Sequence, residues 1–364
     1  MRKPPSLTQL PRFPATGGTA LLALVTSLVG FAYPDRVDHF TIDGRALHGE
    51  PWRFLTAVLP HGGVLHLAFN LYWLWVFGTL VEERLGHFRT LALFLLFAAG
   101  SVAAEYALFA SGIGLSGVGY GLFGMLWMLS SRDRRFADAV DTNTIGLFLI
   151  WGVGCAIATA LHVMAVANAA HAMGLMLGVA VGLAMSANPA WWAAVAGLCA
   201  LSAAGATIAR PHVNLDRARA AQGEAWAGQQ LRDAGKTDRA LALFRAAATL
   251  DLKYVIYVCD IEHELGDGAR AFADCMRGCD GGEPDACSKA GVLAELGENG
   301  AAADAELGQK LLTRGCDGHD AWGCANLGRY YEVSDPARAA KLYAEGCSGG
   351  IRFACDRAKT IAGP

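Results

Sequence analysis

Residues Asn143 to Ala209 read NTIGLFLIWGVGCAIATALHVMAVANAAHAMGLMLGVAVGLAMSANPAWWAAVAGLCALSAAGATIA, a run of 67 residues without Asp, Glu, Lys or Arg. A bilayer core is about 30 Å thick, so this run holds three spans of about 20 residues with tight connections. Beyond Arg210 the chain becomes charged, Ala-rich and cysteine-rich. The 54% hydrophobic content and mean hydropathy of +0.31 over 364 residues are therefore unevenly placed. A polytopic membrane region precedes a water-soluble one. The formal net charge of −3 gives no sign of nucleic-acid binding.

Upstream, the segment 1–16 is short and basic (Arg2, Lys3, Arg12) and is expected to stay cytoplasmic by the positive-inside rule. A first span covers roughly Gly17 to Tyr33. A cleavable signal peptide is the alternative, but no small-residue cleavage site follows it, and further spans do. A long external connection runs from Asp35 to Gly63. The second span starts near Val64 and ends at Glu82-Glu83-Arg84, the third covers Phe88 to Phe109, and the fourth Ser116 to Met128. Ser131-Arg132-Asp133-Arg134-Arg135 makes a basic internal loop. Spans over Thr144–Leu161, Asn168–Met185 and Ala190–Ile208 complete seven. Seven crossings put the C-terminus outside, although Arg210, Arg217 and Arg219 argue for the inside.

Within this frame Gly114-Leu115-Ser116-Gly117-Val118-Gly119-Tyr120-Gly121-Leu122-Phe123-Gly124 sets one serine among glycines. Glycines let membrane helices approach closely, and a hydroxyl there is either a packing group or a nucleophile with a nearby base. His61, His66, Asn70 and His171 are the polar groups at matching depth on the outer side. His66 and Asn70, four apart, share a helix face. Serine–histidine chemistry fits this set, as a dyad, because the sixth span has no carboxylate to orient His171. Oxyanion donors would come from the Ser116 N–H, His66 and Asn70. Metal binding is the rival use of the histidines, but HExxH is absent. Glu105, alone in the third span, is expected to snorkel or face water in a structural role.

These residues resemble the rhomboid intramembrane serine proteases over roughly 17–187. Gly114-Leu115-Ser116-Gly117 matches the GxSG motif, Ala170-His171-Ala172-Met173-Gly174 the AHxxG motif, and His66-Leu67-Ala68-Phe69-Asn70 the HxxxN motif. Trp52-Arg53 matches the WR motif of the first loop, and Glu82 with Arg84 a structural ExR motif. The resemblance implies Ser116 as nucleophile, His171 as base with Tyr120 packed on it, and His66, Asn70 and His61 at the oxyanion site and cavity. Two departures stand out: Ala167 or Ala169 replaces a glycine upstream of His171, and a seventh span is present. Gly174, Gly178 and Gly182 still form a small-residue seam, expected to lie opposite Gly117, Gly121 and Gly124.

In the tail, Cys279 and Cys287, Cys316 and Cys324, and Cys347 and Cys355 lie eight apart, and the units recur after 37 and 31 residues. Such periods mean stacked helical hairpins. The tail resembles cysteine-rich Sel1-like repeats, relatives of the tetratricopeptide repeat, which implies a disulfide within each eight-apart pair. Cys259 and Cys275 flank the Gly266–Gly268 turn symmetrically, and antiparallel helices would bring them level as a fourth pair. Zinc is the rival reading, but CxxC pairs are absent. Paired cysteines place the tail in an oxidising compartment. Cys155 and Cys199 read as packing residues.

The sequence thus predicts an all-α chain, with a polytopic helical bundle of six core helices plus a seventh, then a helical repeat solenoid. The expected divisions are a cytoplasmic 1–16, a protease core at 17–187, the seventh helix at 188–210 and repeats at 211–364. The expected function is an intramembrane serine protease without cofactor or metal. It would sit in a cell membrane, a bacterial inner membrane, with active site and tail on the extracytoplasmic side. Its partners would be transmembrane protein substrates, the lipid bilayer and a protein or peptide on the repeats, with no nucleic acid. The other class considered is an inactive relative that binds or retains membrane clients.

Overall fold

The computed structural model describes residues 3–110, 112–161, 163–297 and 303–362. Met1 and Arg2 of the expected cytoplasmic segment lie outside the described residues. The described residues form helices and turns and no strand, as the sequence predicts. The chain divides into two compact units, Met1–Ala220 and Ala221–Pro364.

Six helices of the first unit are long and apolar enough to cross a membrane: α1 (Pro14–Ala32), α2 (Val64–Leu85), α3 (His87–Leu108), α5 (Thr142–Ala160), α6 (Asn168–Ser186) and α7 (Trp191–Val213). Between α3 and α5 stands α4 (Ser116–Ser130). Its 15 residues make a rod of about 22 Å, less than a bilayer core. The fourth of the seven expected spans is therefore a short central helix. Leu122, Phe123 and Leu126 on α4 are fully enclosed, packing with Phe77, Phe97, Leu177 and Val181. The chain is thus a multi-pass membrane protein, and the shortest of these seven helices is the innermost. Lipid offers no hydrophobic drive between helices, so contact quality decides how they pair.

The closest pairing is that of α4 with α6. A Cβ added at Gly178 would lie 2.8 Å from the Gly121 carbonyl carbon, and one at Gly182 2.7 Å from the Met125 oxygen. From the other side, a Cβ at Gly124 would lie 2.7 Å from the Leu175 oxygen. Gly174 and Gly178 lie against Gly117 and Gly121 as expected, while Gly182 faces Met125 and Met128 in place of Gly124. Gly117 and Gly121 present their carbonyls to α6, but their Cβ directions point at Ser101 and Phe97 of α3. One glycine row on α4 therefore serves two neighbouring helices.

Two buried charged groups knit the connections. Glu82 is 2% exposed, and its carboxylate accepts the Ala15 and Thr16 N–H groups (2.8 Å each) and pairs with His87 at 2.6 Å. It satisfies the orphan donors at the start of α1, where an acid is favoured by the helix dipole. Arg84, the other residue of the ExR match, is exposed, and no hydrogen bond or ion pair joins it to another described residue. Residues two apart on a helix do not share a face. Arg53 is completely buried in the first connection, donating to the Asp38 and Thr41 carbonyls (2.6 and 2.7 Å) and pairing with Glu50. Its neighbour Trp52 is half exposed. Burial opposes the charge on Arg45, but hydrogen bonds and attraction from Asp43 and Asp38 outweigh it and raise its pKa.

The end of α7 is tied into the same unit. The Leu215 N–H donates to the Leu108 carbonyl (2.7 Å), and the Asn214 amide to the Phe109 carbonyl (3.1 Å). Both carbonyls belong to the C-terminal end of α3, which has no intrahelical donors for them.

The second unit is a run of helices, each packed on the next: α8 (Arg217–Asp233), whose first turn lies in the first unit, α9 (Thr237–Leu250), α10 (Val255–Glu264), α11 (Gly268–Asp280), α12 (Pro284–Leu296), α13 (Ala305–Asp317), α14 (Ala321–Tyr331), α15 (Pro336–Ser348) and α16 (Arg352–Ala362). Asp267, Asp304 and Asp335 cap α11, α13 and α15 by accepting N–H groups of Arg270, Leu307 and Arg338. Their spacing of 37 and 31 residues repeats that of the cysteines. Cys279–Cys287, Cys316–Cys324 and Cys347–Cys355 are paired, with Cα separations of 4.4, 4.5 and 4.6 Å. Cys259 and Cys275 are paired across α10 and α11 at 5.6 Å. Cys155 and Cys199 form no disulfide.

Candidate active site

Ser116 is the first residue of α4, reached through a loop whose backbone is held in place before the helix begins. The Gly114 N–H donates to the Ala57 carbonyl (3.2 Å), and the Leu115 N–H to Nε2 of His61 (3.2 Å). Gly114 has φ +108°, and a Cβ there would lie 2.7 Å from the His66 ring. Backbone conformation and lack of space therefore both require glycine. The first N–H groups of α4 lack intrahelical partners and carry the positive end of the helix dipole, beside the serine hydroxyl.

His171 lies in the first turn of α6, and its Nε2 is 2.8 Å from Ser116 Oγ. The two helices bring these side chains together because glycine lets their backbones touch. With the Ser116 hydroxyl donating to Nε2, Nδ1 carries the proton; it is buried and has no hydrogen-bond partner among the described residues. Among the described residues no carboxylate bonds this ring. Tyr120, one turn along α4, stacks on it at 4.6 Å between centroids and 25° between planes. The Tyr120 hydroxyl in turn donates to the Phe148 carbonyl of α5 (3.0 Å). Packing thus replaces the third member of a triad in fixing the imidazole.

His61, expected as a cavity group, is 4% exposed and anchors the loop. Because Nε2 accepts from Leu115, Nδ1 is the donor, directed at the Leu59 carbonyl (3.0 Å) with Ser27 Oγ at 3.1 Å. Burial, reinforced by nearby His66, pushes its pKa down to about 4, so the ring stays neutral at physiological pH. His66 is half-buried, packed edge-on against His61 at 4.9 Å and against Gly114. Asn70 is buried, and its amide donates to the His66 carbonyl one turn back (2.9 Å). Gly174 and Gly178 lie in the α4–α6 contact, while Trp52 and Arg53 lie in the first connection and Glu82 and Arg84 at the end of α2.

Glu105 overturns the expectation of a snorkelling or water-facing group. It is 4% exposed, and its Oε2 accepts the Ala170 N–H at 3.0 Å. The start of α6 has no side-chain cap of its own, and a carboxylate from α3 fills the role. Phe69 of α2 and Trp151 of α5 stack at 5.2 Å between ring centroids. Aromatic residues on two apolar helices carry no signature in the sequence that separates such a contact from ordinary packing.

A serine hydroxyl bonded to a neutral imidazole, at a helix N-terminus and inside a bundle, is an arrangement for nucleophilic acyl transfer. Residues 48–188 match the family described as Rhomboid domain. Over 146 residues the chain is 34% identical to "Rhomboid protease GlpG" of Enterobacter sp. (strain 638), covering 40% of this chain and 52% of that protein. The chain spans about half the length of this relative. The similarity supports the rhomboid family, and it falls on the membrane region that holds Ser116 and His171.

Proposed function

We propose that the chain is an intramembrane serine endopeptidase that cleaves transmembrane segments of other membrane proteins. Ser116 Oγ attacks a substrate carbonyl while His171 Nε2 takes its proton. The imidazolium then returns that proton to the leaving amine, and water, activated by the same ring, hydrolyses the acyl-enzyme. The N–H groups at the start of α4, with His66 and Asn70, stabilise the oxyanion. The observation that carries this reading is the 2.8 Å contact between Ser116 and His171, supported by the relative's name.

The tail is read as a cysteine-rich Sel1-like domain that binds a protein or peptide. Its paired cysteines favour an extracytoplasmic position, and with it an external active site in a bacterial inner membrane. The test is co-expression with a panel of tagged single-span membrane proteins, comparing wild type with Ser116→Ala. Cleavage products present with wild type and absent with Ser116→Ala are expected. Identical patterns would remove the protease reading.

A further inference from the structure

Glu105 is the one acidic residue of α3, and the dyad chemistry has no use for it as acid or base. An acidic group inside a membrane bundle is costly unless bonded, so its contacts show what it does. Its carboxylate receives the N–H of Ala170, the residue immediately before His171. Its stem is wedged on the other side: a Cβ at Gly112 would lie 2.7 Å from Glu105 Cγ and 3.1 Å from the Ala167 Cβ. Gly112 belongs to the loop leading to Ser116, and Ala167 directly precedes α6. One side chain therefore bonds the start of α6 and leaves no room for a Cβ at Gly112 on the loop to Ser116. The His171 ring has no bond at Nδ1, so beyond the Tyr120 stack its aim depends on where the backbone of this first turn sits.

We infer that Glu105 is the positioning residue of the dyad: it clamps the first turn of α6 to the end of α3 and so aims His171 Nε2 at Ser116. This rests on the serine protease reading of the site. A carboxylate from a neighbouring helix does at the backbone what a triad acid does at the ring. The clamp requires an acceptor at this position, and an amide oxygen serves as well as a carboxylate. Displacement of a reacting group by about 1 Å costs on the order of 10²-fold in rate.

The experiment uses the full chain in detergent micelles, with two readouts. One is the rate of covalent labelling of Ser116 by a fluorophosphonate probe. The other is backbone amide exchange in the first turn of α6, which reports the clamp whether or not the protein is a protease. Glu105→Leu is expected to slow labelling by about 10²-fold and to speed exchange at Ala170. Glu105→Gln is expected to keep labelling within about threefold of wild type, because Oε1 still accepts the N–H. Wild-type labelling by Glu105→Leu, unchanged exchange in it, or equal losses in the Leu and Gln variants would each overturn the inference. Should Glu105→Leu not fold, Gly112→Ala presses on the same side chain from the loop and must also slow labelling; a wild-type rate overturns the clamp. Absence of labelling in the wild type itself would remove the protease reading, while exchange would still decide the clamp.

Discussion

The contact between α4 and α6 can be tested by one methyl group. In Gly178→Ala the new Cβ would lie 2.8 Å from the Gly121 carbonyl carbon and 2.9 Å from the Met125 nitrogen, and closer still to the Gly121 oxygen. Ordinary contact begins at 3.4 Å, and every obstacle is backbone, so no rotamer change relieves the clash. The helices must part by about 1 Å, enough to cost on the order of 10²-fold in rate. The Ser116–His171 contact is only 2.8 Å, and the two residues sit on the two helices being separated. The assay is fluorophosphonate labelling in detergent, with thermal unfolding measured in parallel. Gly154→Ala on α5 is the control, since nothing lies within 4 Å of its added Cβ. That variant should label like wild type and gain a few tenths of a kcal/mol, up to about 1, from helix propensity. Labelling of Gly178→Ala within a few-fold of wild type would refute the claim that glycine contact sets the dyad distance.

Two further outcomes follow from groups outside the spans. The folded pKa of His61 lies at about 4, below the ordinary 6.5, so its contribution to stability is present above pH 6.5 and is lost as pH falls toward 4; thermal unfolding between pH 7 and 4 should show a loss of roughly 2–3 kcal/mol that His61→Gln lacks, and equal slopes in the two proteins would contradict the assignment. In the tail, His319 has φ +69° where the equivalent repeat positions are Gly282 and Gly350 at +95° and +87°, so His319→Gly should raise stability by about 0.5–1 kcal/mol and His319→Val should lower it, with the reverse order counting against backbone strain there.

The membrane region was legible because exclusion of charge over 67 residues is a compositional fact that tertiary context does not alter. Ser116, His171 and Tyr120 were legible as a set, and the structure brings them together. Less legible was direction. Sequence placed Gly117 on α4, but its Cβ vector faces Ser101 of α3, because a helix with two close neighbours divides its small residues between them. Arg84 lies two residues from Glu82, yet it points outward while Glu82 reaches α1. Glu105 was visible as an anomaly, but its partner is a backbone N–H 65 residues away, and backbone donors leave no mark in the sequence. In the tail the cysteine spacing is plain, whereas Asp267, Asp304 and Asp335 share its period but are three acids among many, and only the structure shows them capping helices.

The hydrogen bonds from Asn214 and Leu215 to the last carbonyls of α3 bear on biosynthesis. Those carbonyls open the loop that leads to Ser116, and their donors lie more than 100 residues downstream, past α4, the basic turn that follows it and the three apolar helices α5, α6 and α7. A chain emerging from the ribosome holds Ser116, and later His171, before it holds the groups that close this loop. These two hydrogen bonds can therefore form only after α7 and the residues that follow it have been synthesised.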